Sequence, residues 1–424
     1  MVVVPGVTGS RLKDPERDIE VWGTARGFFT PKDRGHSLAL PIREGDEARD
    51  ALVPNGTIFH VRLLTWSKEV YRPLRRALEQ GGYRSGELVQ PEVSLFFFDY
   101  DWRRDNVEIA KRLHQSLELL ASGRRDPRVH LVCQSSGARV CRYVAKYGGL
   151  SLEEAEAGEQ PKRGYRLTKL ILVGASNGGS MRQLHELHNG RRYVPSVGRF
   201  LGPETLFTLR PLFGDLPADY GALFVDEGGK LLAVDLYDPA SWTTYQWSVF
   251  DPQIARRLDE GPRSELFGDA DNRFRYLSEV LDRARRVHRL LELPAPGFEG
   301  TSIYLLLNGS GVAPARAQLV QSKEGAWSTR FFDDHAVRNN LHLKSLLGAP
   351  GDGHATLASQ SVLSKQELAV VADEREASGG HFDVMLTRAA HNAILEFLGS
   401  PEAASETAAP NTFITRAAAD RQDD

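Results

Sequence analysis

Cysteine is nearly missing from this 424-residue chain: only Cys133 and Cys141 occur, alongside three methionines. Two cysteines cannot form the disulfide framework of a small secreted domain. A chain this long buries roughly three quarters of its unfolded surface and needs no such staple. An excess of charge is missing too, with 53 Lys and Arg against 56 Asp and Glu, a net −3. That balance excludes an overall polybasic nucleic-acid binder, and a hydrophobic content of 41% excludes general disorder. No apolar run approaches the roughly 20 residues of a membrane span. The start, Met1-Val2-Val3-Val4-Pro5-Gly6, has neither a basic segment nor a small-residue cleavage site. The expectation is a cytoplasmic, reducing setting with both thiols free, on condition that no targeting segment lies upstream. Repeats are absent as well. His185-Glu186-Leu187-His188 spaces its histidines three apart instead of the four of a zinc helix, so it reads as a solvated helix face. No metal or other cofactor is expected.

What the chain does have is alternation. Near-continuous apolar runs at Val2–Val4, Val93–Phe98, Val129–Cys133, Leu170–Val173 and Ser302–Leu307 read as strands covered on both faces. Between them, Ser67–Leu78, Val107–Ala121 and Ala138–Tyr147 carry helical spacing, and Phe382–Leu398 reads as the final helix. This order predicts an α/β fold with a mostly parallel central sheet. Two stretches break the rhythm: residues 13–62, with Trp22, Phe28 and Phe29, and residues 181–300, with Trp242, Tyr245, Trp247 and the run Phe274–Leu291. Long excursions between core strands read as a lid and a cap. Residues 401–424, rich in Ala, Glu, Asp and Thr, read as a mobile tail.

The segment richest in chemistry is Val129-His130-Leu131-Val132-Cys133-Gln134-Ser135-Ser136-Gly137-Ala138. A strand runs into a serine and then into a helix with almost no loop, as in a nucleophile elbow. The residues flanking the nucleophile at two positions either side must be small. Ser135 meets this with Cys133 and Gly137, whereas Ser136 would place Gln134 there, so Ser135 is the expected nucleophile. The competing reading is a serine-rich helix N-cap. An oxyanion hole draws one backbone N–H from the residue after the nucleophile and another from an earlier strand-to-loop turn. Here those are Ser136 and Val7, the latter in the Pro5–Ser10 turn. The acid and histidine should follow in that order. Gly351-Asp352-Gly353-His354 offers Asp352, and Gly379-Gly380-His381-Phe382 offers His381. The competing histidines are His335, His354 and His391, and the competing acids Asp333 and Asp334, which lack the flanking glycines.

With these residues in view, the chain resembles the lecithin:cholesterol acyltransferase family of α/β-hydrolases, which includes lysosomal phospholipase A2 and phospholipid:diacylglycerol acyltransferases. The resemblance spans roughly residues 2–398. It rests on the Pro5–Ser10 turn, Trp22, Tyr71…Leu74 with Gly82-Tyr83, and Tyr100-Asp101-Trp102-Arg103. The elbow at Ser135, the Asn177-Gly178-Gly179-Ser180 loop, the turn at Asp352, and His381 complete it. It implies an α/β-hydrolase fold with lid and cap insertions, a Ser135–Asp352–His381 triad, oxyanion donors Val7 and Ser136, and Trp22 as a lid residue touching lipid. Tyr100–Arg103 is expected to be structural, with an Arg–carboxylate pair and a packed indole. Cys133-Gln134 stands where the family has Gly-His, and His354-Ala355-Thr356 where it has Thr-Val-Pro. The implied activity is acyl transfer from, or hydrolysis of, a lipid acyl ester through an acyl-enzyme, with transient lipid-surface contact, a possible alcohol acceptor and no nucleic-acid partner. The rivals are a plain esterase or lipase and a catalytically silent scaffold that binds a hydrophobic ligand.

Overall fold

The computed structural model describes residues 1–25, 33–43, 50–63, 66–87, 93–193, 200–218, 223–260, 264–298 and 300–399. Phe28, Phe29 and the 401–424 segment lie outside the described residues. At the centre, six parallel strands form one sheet: β1 (Val2–Val4), β2 (Phe96–Phe97), β3 (Arg128–Gln134), β4 (Arg166–Val173), β5 (Ser302–Leu307) and β6 (Val371–Glu376). Their spatial order is β6-β5-β4-β3-β1-β2.

Successive side chains of a strand point to opposite faces, and both faces here are covered. Val3, Val132, Ile171 and Leu306 pack against α1 (Arg72–Gln80) and the C-terminal helix. Val4, Leu131, Cys133, Leu172 and Leu305 face the opposite layer, which holds α2 (Asn106–Ala121) and α3 (Gly137–Tyr147). This two-sided burial is the reason the strands read as unbroken apolar runs.

Four elements differ from the expectation. The predicted strand at 93–98 pairs in the sheet over Phe96–Phe97 alone. β6, sequence Val-Ala-Asp-Glu-Arg-Glu, is an edge strand whose charged residues gave no apolar signal. The predicted helix Ser67–Leu78 is divided. Trp66–Glu69 pairs as a hairpin with His60–Leu63, and α1 begins only at Arg72, with a proline in its first turn. The last helix is likewise shorter than predicted: a 3₁₀ turn at Val384–Leu386 precedes Arg388–Leu398, which Thr387 caps.

The insertions are structured where described. Ser10–Asp14, Ile19–Trp22 and Val53–Thr57 form a three-stranded antiparallel sheet that begins just before the 13–62 stretch and runs into it. In the 181–300 stretch, α4 (Met181–Asn189) and the long α5 (Ala270–Glu292) are packed helices. Phe224–Val225 pairs with Ala317–Gln321, so this stretch shares a sheet with the segment that follows β5. His185 and His188 are not on a solvated face. Both rings pack on Phe331, and His188 Nδ1 accepts the Ser248 N–H. No helix among the described residues is long and apolar enough to cross a membrane.

The cysteines correct the expectation of free thiols: Cys133 and Cys141 form a disulfide, with Cα atoms 6.5 Å apart. The reason is geometric. Period-two alternation turns Cys133 toward the α3 layer, and α3 folds straight back over the strand it follows. Cys141, one turn into that helix, therefore lies directly over Cys133. A strand end and the next helix are far apart only when a loop separates them, and here the connection is two residues.

Candidate active site

Ser135 and Ser136 are the whole connection between β3 and α3. Ser135 has φ +54°, a left-handed conformation that costs a non-glycine residue energy and persists only where surroundings enforce it. Its N–H still bonds Val173 O at the end of β4 (3.1 Å), so the strand register runs into the strained residue. The α3 backbone then turns away immediately, which leaves the Ser135 side chain at the C-terminal edge of the sheet. Gly137 is required by the close approach of β1: a Cβ there would sit 2.5 Å from Pro5 O and 2.8 Å from Val4 O. The expected crowding between Cys133 and Gly137 is thus replaced by crowding against β1, and Cys133 turns away into its disulfide.

The acid and the histidine come from loops after β5 and β6. Ser135 Oγ lies 2.7 Å from His381 Nε2, and His381 Nδ1 lies 2.7 Å from Asp352 Oδ2. Asp352 Oδ1 accepts the N–H groups of His354 (2.9 Å) and Ala355 (2.7 Å), which fixes the carboxylate within its turn. The His381 N–H in turn bonds Asp352 O at 2.9 Å. Burial pushes the Asp352 carboxyl up, but the His381 ring and those two N–H groups outweigh it and hold the carboxyl below its usual range. Of the competing residues, His391 is buried and bonds Met385 O at 2.8 Å, Asp333 pairs with Arg182, and Asp334 Oδ2 accepts the Phe331 N–H at 2.7 Å.

The Pro5–Ser10 turn is pressed against Ser135. A Cβ on Gly6 would lie 3.0 Å from Ser135 Cβ, so a larger residue would push Ser135 or the turn aside by a few tenths of an ångström. The Val7 N–H does not face an empty space: it donates to Ser136 Oγ at 2.9 Å. Four hydrogen bonds from aromatic residues hold the turn. Tyr100 OH donates to Pro5 O (2.6 Å), Tyr100 N–H to Ser10 Oγ (3.1 Å), Trp102 Nε1 to Ser10 O (3.0 Å) and Trp22 Nε1 to Thr8 O (3.0 Å). Arg103, wholly buried, makes paired contacts to both Asp101 and Asp50. The Tyr100–Arg103 run is therefore the anchor of the turn beside Ser135.

Trp22 requires a correction. It is fully buried, packed edge-on against Trp102 (5.5 Å) and Tyr193 (4.8 Å), and does not line the space over Ser135. Its neighbour Tyr193 instead faces a cavity of ≈490 Å³ that opens over Ser135. Ile58, Val61, Val70 and the half-exposed Phe382 supply the cavity's apolar wall, and Arg191 with Arg192 adds positive charge from the 181–300 stretch.

Sequence reasoning named Tyr71, Gln134 and His354 without assigning them these contacts. The Tyr71 hydroxyl accepts from Gly6 N–H (3.2 Å) and donates to Gln134 Oε1, and Gln134 Nε2 donates to His381 O (3.3 Å). These bonds tie the turn, the elbow and the histidine loop together. Burial pushes the Tyr71 hydroxyl well above the usual phenol range, so it remains a donor. Nothing in the local sequence marks these contacts, because the partners lie 63 to 247 residues apart. Behind the elbow, α3 is held by buried charge. Arg139 pairs with Asp215, and Arg142 makes two bonds of 2.7 and 2.8 Å to Glu367.

No family model matches the chain, and no curated protein matches its sequence. Among solved structures, a chain in the crystal structure of a Tle4–Tli4 complex is similar, with a TM-score of 0.57 at 13% identity. The alignment covers 94% of this chain and 97% of that one, a likeness of architecture along nearly the whole length.

Proposed function

We propose that this protein is a serine ester hydrolase with the α/β-hydrolase arrangement, acting on a lipid acyl ester through an acyl-enzyme. The observation that carries the reading is the hydrogen-bonded chain Ser135–His381–Asp352, two links of 2.7 Å each, built on a strained strand-to-helix turn beneath a partly apolar cavity. In this reading Ser135 Oγ attacks the ester carbonyl while His381 Nε2 takes its proton, and Asp352 holds the Nδ1–H tautomer and stabilises the imidazolium. Charge developing on the carbonyl oxygen is met by the Ser136 and Val7 N–H groups. Val7 must exchange its Ser136 Oγ partner for the substrate oxygen, a local side-chain rotation. His381 then protonates the departing alcohol, and the acyl-enzyme is discharged.

The discharge step decides between hydrolase and transferase. The resemblance to the acyltransferase family is the ground for proposing a lipophilic alcohol as acceptor, and a cavity walled by Ile58, Val61, Val70 and Phe382 suits one. In this reading Phe382, half-exposed at the cavity, meets an aggregated lipid in place of the buried Trp22. A fluorophosphonate probe should label the native protein and fail on Ser135→Ala, since only an activated serine reacts. Equal labelling of the two would remove the assignment, and no labelling of either would favour a silent scaffold. One labelled acyl chain, followed through product separation across a panel of alcohols, then reads the acceptor. Free acid alone, at a rate indifferent to every alcohol, leaves a plain esterase or lipase.

A further inference from the structure

His354 belongs to the Asp352 turn, yet its ring lies flat on the His381 ring, with centroids 4.4 Å apart and 23° between planes. We propose that His354 is a positioning residue that holds the His381 ring in line with Ser135 and Asp352 by stacking on its face. The proposal rests on the ester-hydrolase reading and deepens it.

The need for such a neighbour follows from the hydrogen bonds themselves. His381 is bonded at Nδ1 to Asp352 and at Nε2 to Ser135. These bonds hold the two nitrogens, and the motion they oppose is a swing of the ring about its Cα–Cβ and Cβ–Cγ bonds, which carries Nε2 out of line with Ser135 Oγ. A flat group pressed on one face restricts that swing. On another side the Phe382 ring meets His381 edge-on at 5.1 Å and 89°.

His354 is itself well fixed. Its N–H donates to Asp352 Oδ1 at 2.9 Å, and its carbonyl accepts from Ser180 Oγ. The ring is buried and is not part of the cavity wall, so it acts on His381 and not on substrate. The ionisable groups around it are Asp352 and His381 within the site, and Arg191 and Arg182 from the 181–300 stretch, whose partners are Glu186 and Asp333. Burial first, then His381 and the two arginines, keep the imidazole well below its usual range. His354 therefore meets His381 as a neutral ring and does not repel the proton that His381 accepts.

The test compares His354→Phe, which keeps a flat aromatic face, with His354→Leu, which fills the space without one. Thermal melts establish that both fold, and steady-state kinetics on a soluble short-chain ester are read below the lower Tm. The expected result is that H354F stays within about threefold of the native kcat, whereas H354L loses about tenfold with KM within twofold. Equal rates for the two variants, or an H354L defect confined to KM, would overturn the positioning role. Fluorophosphonate labelling of the native protein keeps the outcomes separate. If the native protein does not react, the hydrolase reading itself fails; if it reacts and H354L reacts as fast, the failure belongs to His354 alone.

Discussion

The central sheet and the two insertions are held together by different forces. The sheet is secured by backbone ladders and by Val, Leu and Ile side chains on both faces, a pattern repeated strand after strand. The insertions depend on single side chains in fixed partnerships, such as Trp22 with Trp102 and Tyr193, Arg103 with Asp50 and Asp101, and Arg139 with Asp215. Apolar ladders are redundant, so one substitution weakens them gradually. Buried charged and aromatic partnerships are not, because losing one member leaves an unpaired charge or a cavity. The Ser135 turn sits at the junction: its strand belongs to the first kind of region, its helix α3 and its Pro5–Ser10 neighbour to the second.

The largest effect expected is chemical and should leave both regions folded. Ser135→Ala or His381→Ala should lower ester turnover by about 10⁴–10⁶-fold, and combining them should cost little more. Asp352→Asn should retain the most of the three, since it disturbs orientation and tautomer. Far-ultraviolet circular dichroism should be unchanged throughout. Additive losses in the double variants would show that the residues do not act as one unit.

Next come the partnerships. Glu367→Gln should destabilise by about 3–5 kcal/mol in chemical denaturation, because it leaves Arg142 and Lys146 buried without their counter-charge. Burial raises the Glu367 carboxyl, but Arg142, Lys146 and Ser364 outweigh it and bring it down to about 2. A folded-state value below the unfolded one gives stability that is present above about pH 4.5 and is lost as pH falls toward 2. Native protein should show that loss and the variant should not. Trp22→Ala should cost about 3–5 kcal/mol through the cavity it leaves. Its activity should fall equally on aggregated lipid and on soluble ester, and a loss confined to aggregated lipid would return Trp22 to the substrate.

The smallest effect tests the link between the regions. Replacing both Cys133 and Cys141 with Ala should lower stability by about 2–3 kcal/mol, as expected for a short closed loop. Intact mass with and without a reductant and alkylation should show the bond in native protein. Two alkylated thiols without reductant would contradict the arrangement of β3 against α3.

The triad candidates were legible because each has a local signature: small residues around Ser135, glycines around Asp352, and glycines before His381. The insertions were legible only as interruptions. Trp22 could be recognised as large and apolar, but whether it faced lipid or Trp102 depended on a turn 80 residues away. His354 was weighed as a rival base, and its sequence neighbours are the same whether it reacts or stacks.

The amino-acid sequence by itself determined the parallel sheet, the order of its apolar strands, and the turn that exposes Ser135. These depend on the alternation of residues close together in the chain. Only the tertiary structure decided that β6 completes the sheet, that Cys133 meets Cys141, that Val7 N–H is taken by Ser136, and that His354 lies on His381. Each of these is a contact between groups whose local sequence is compatible with several partners, and the partner is chosen by how the layers close.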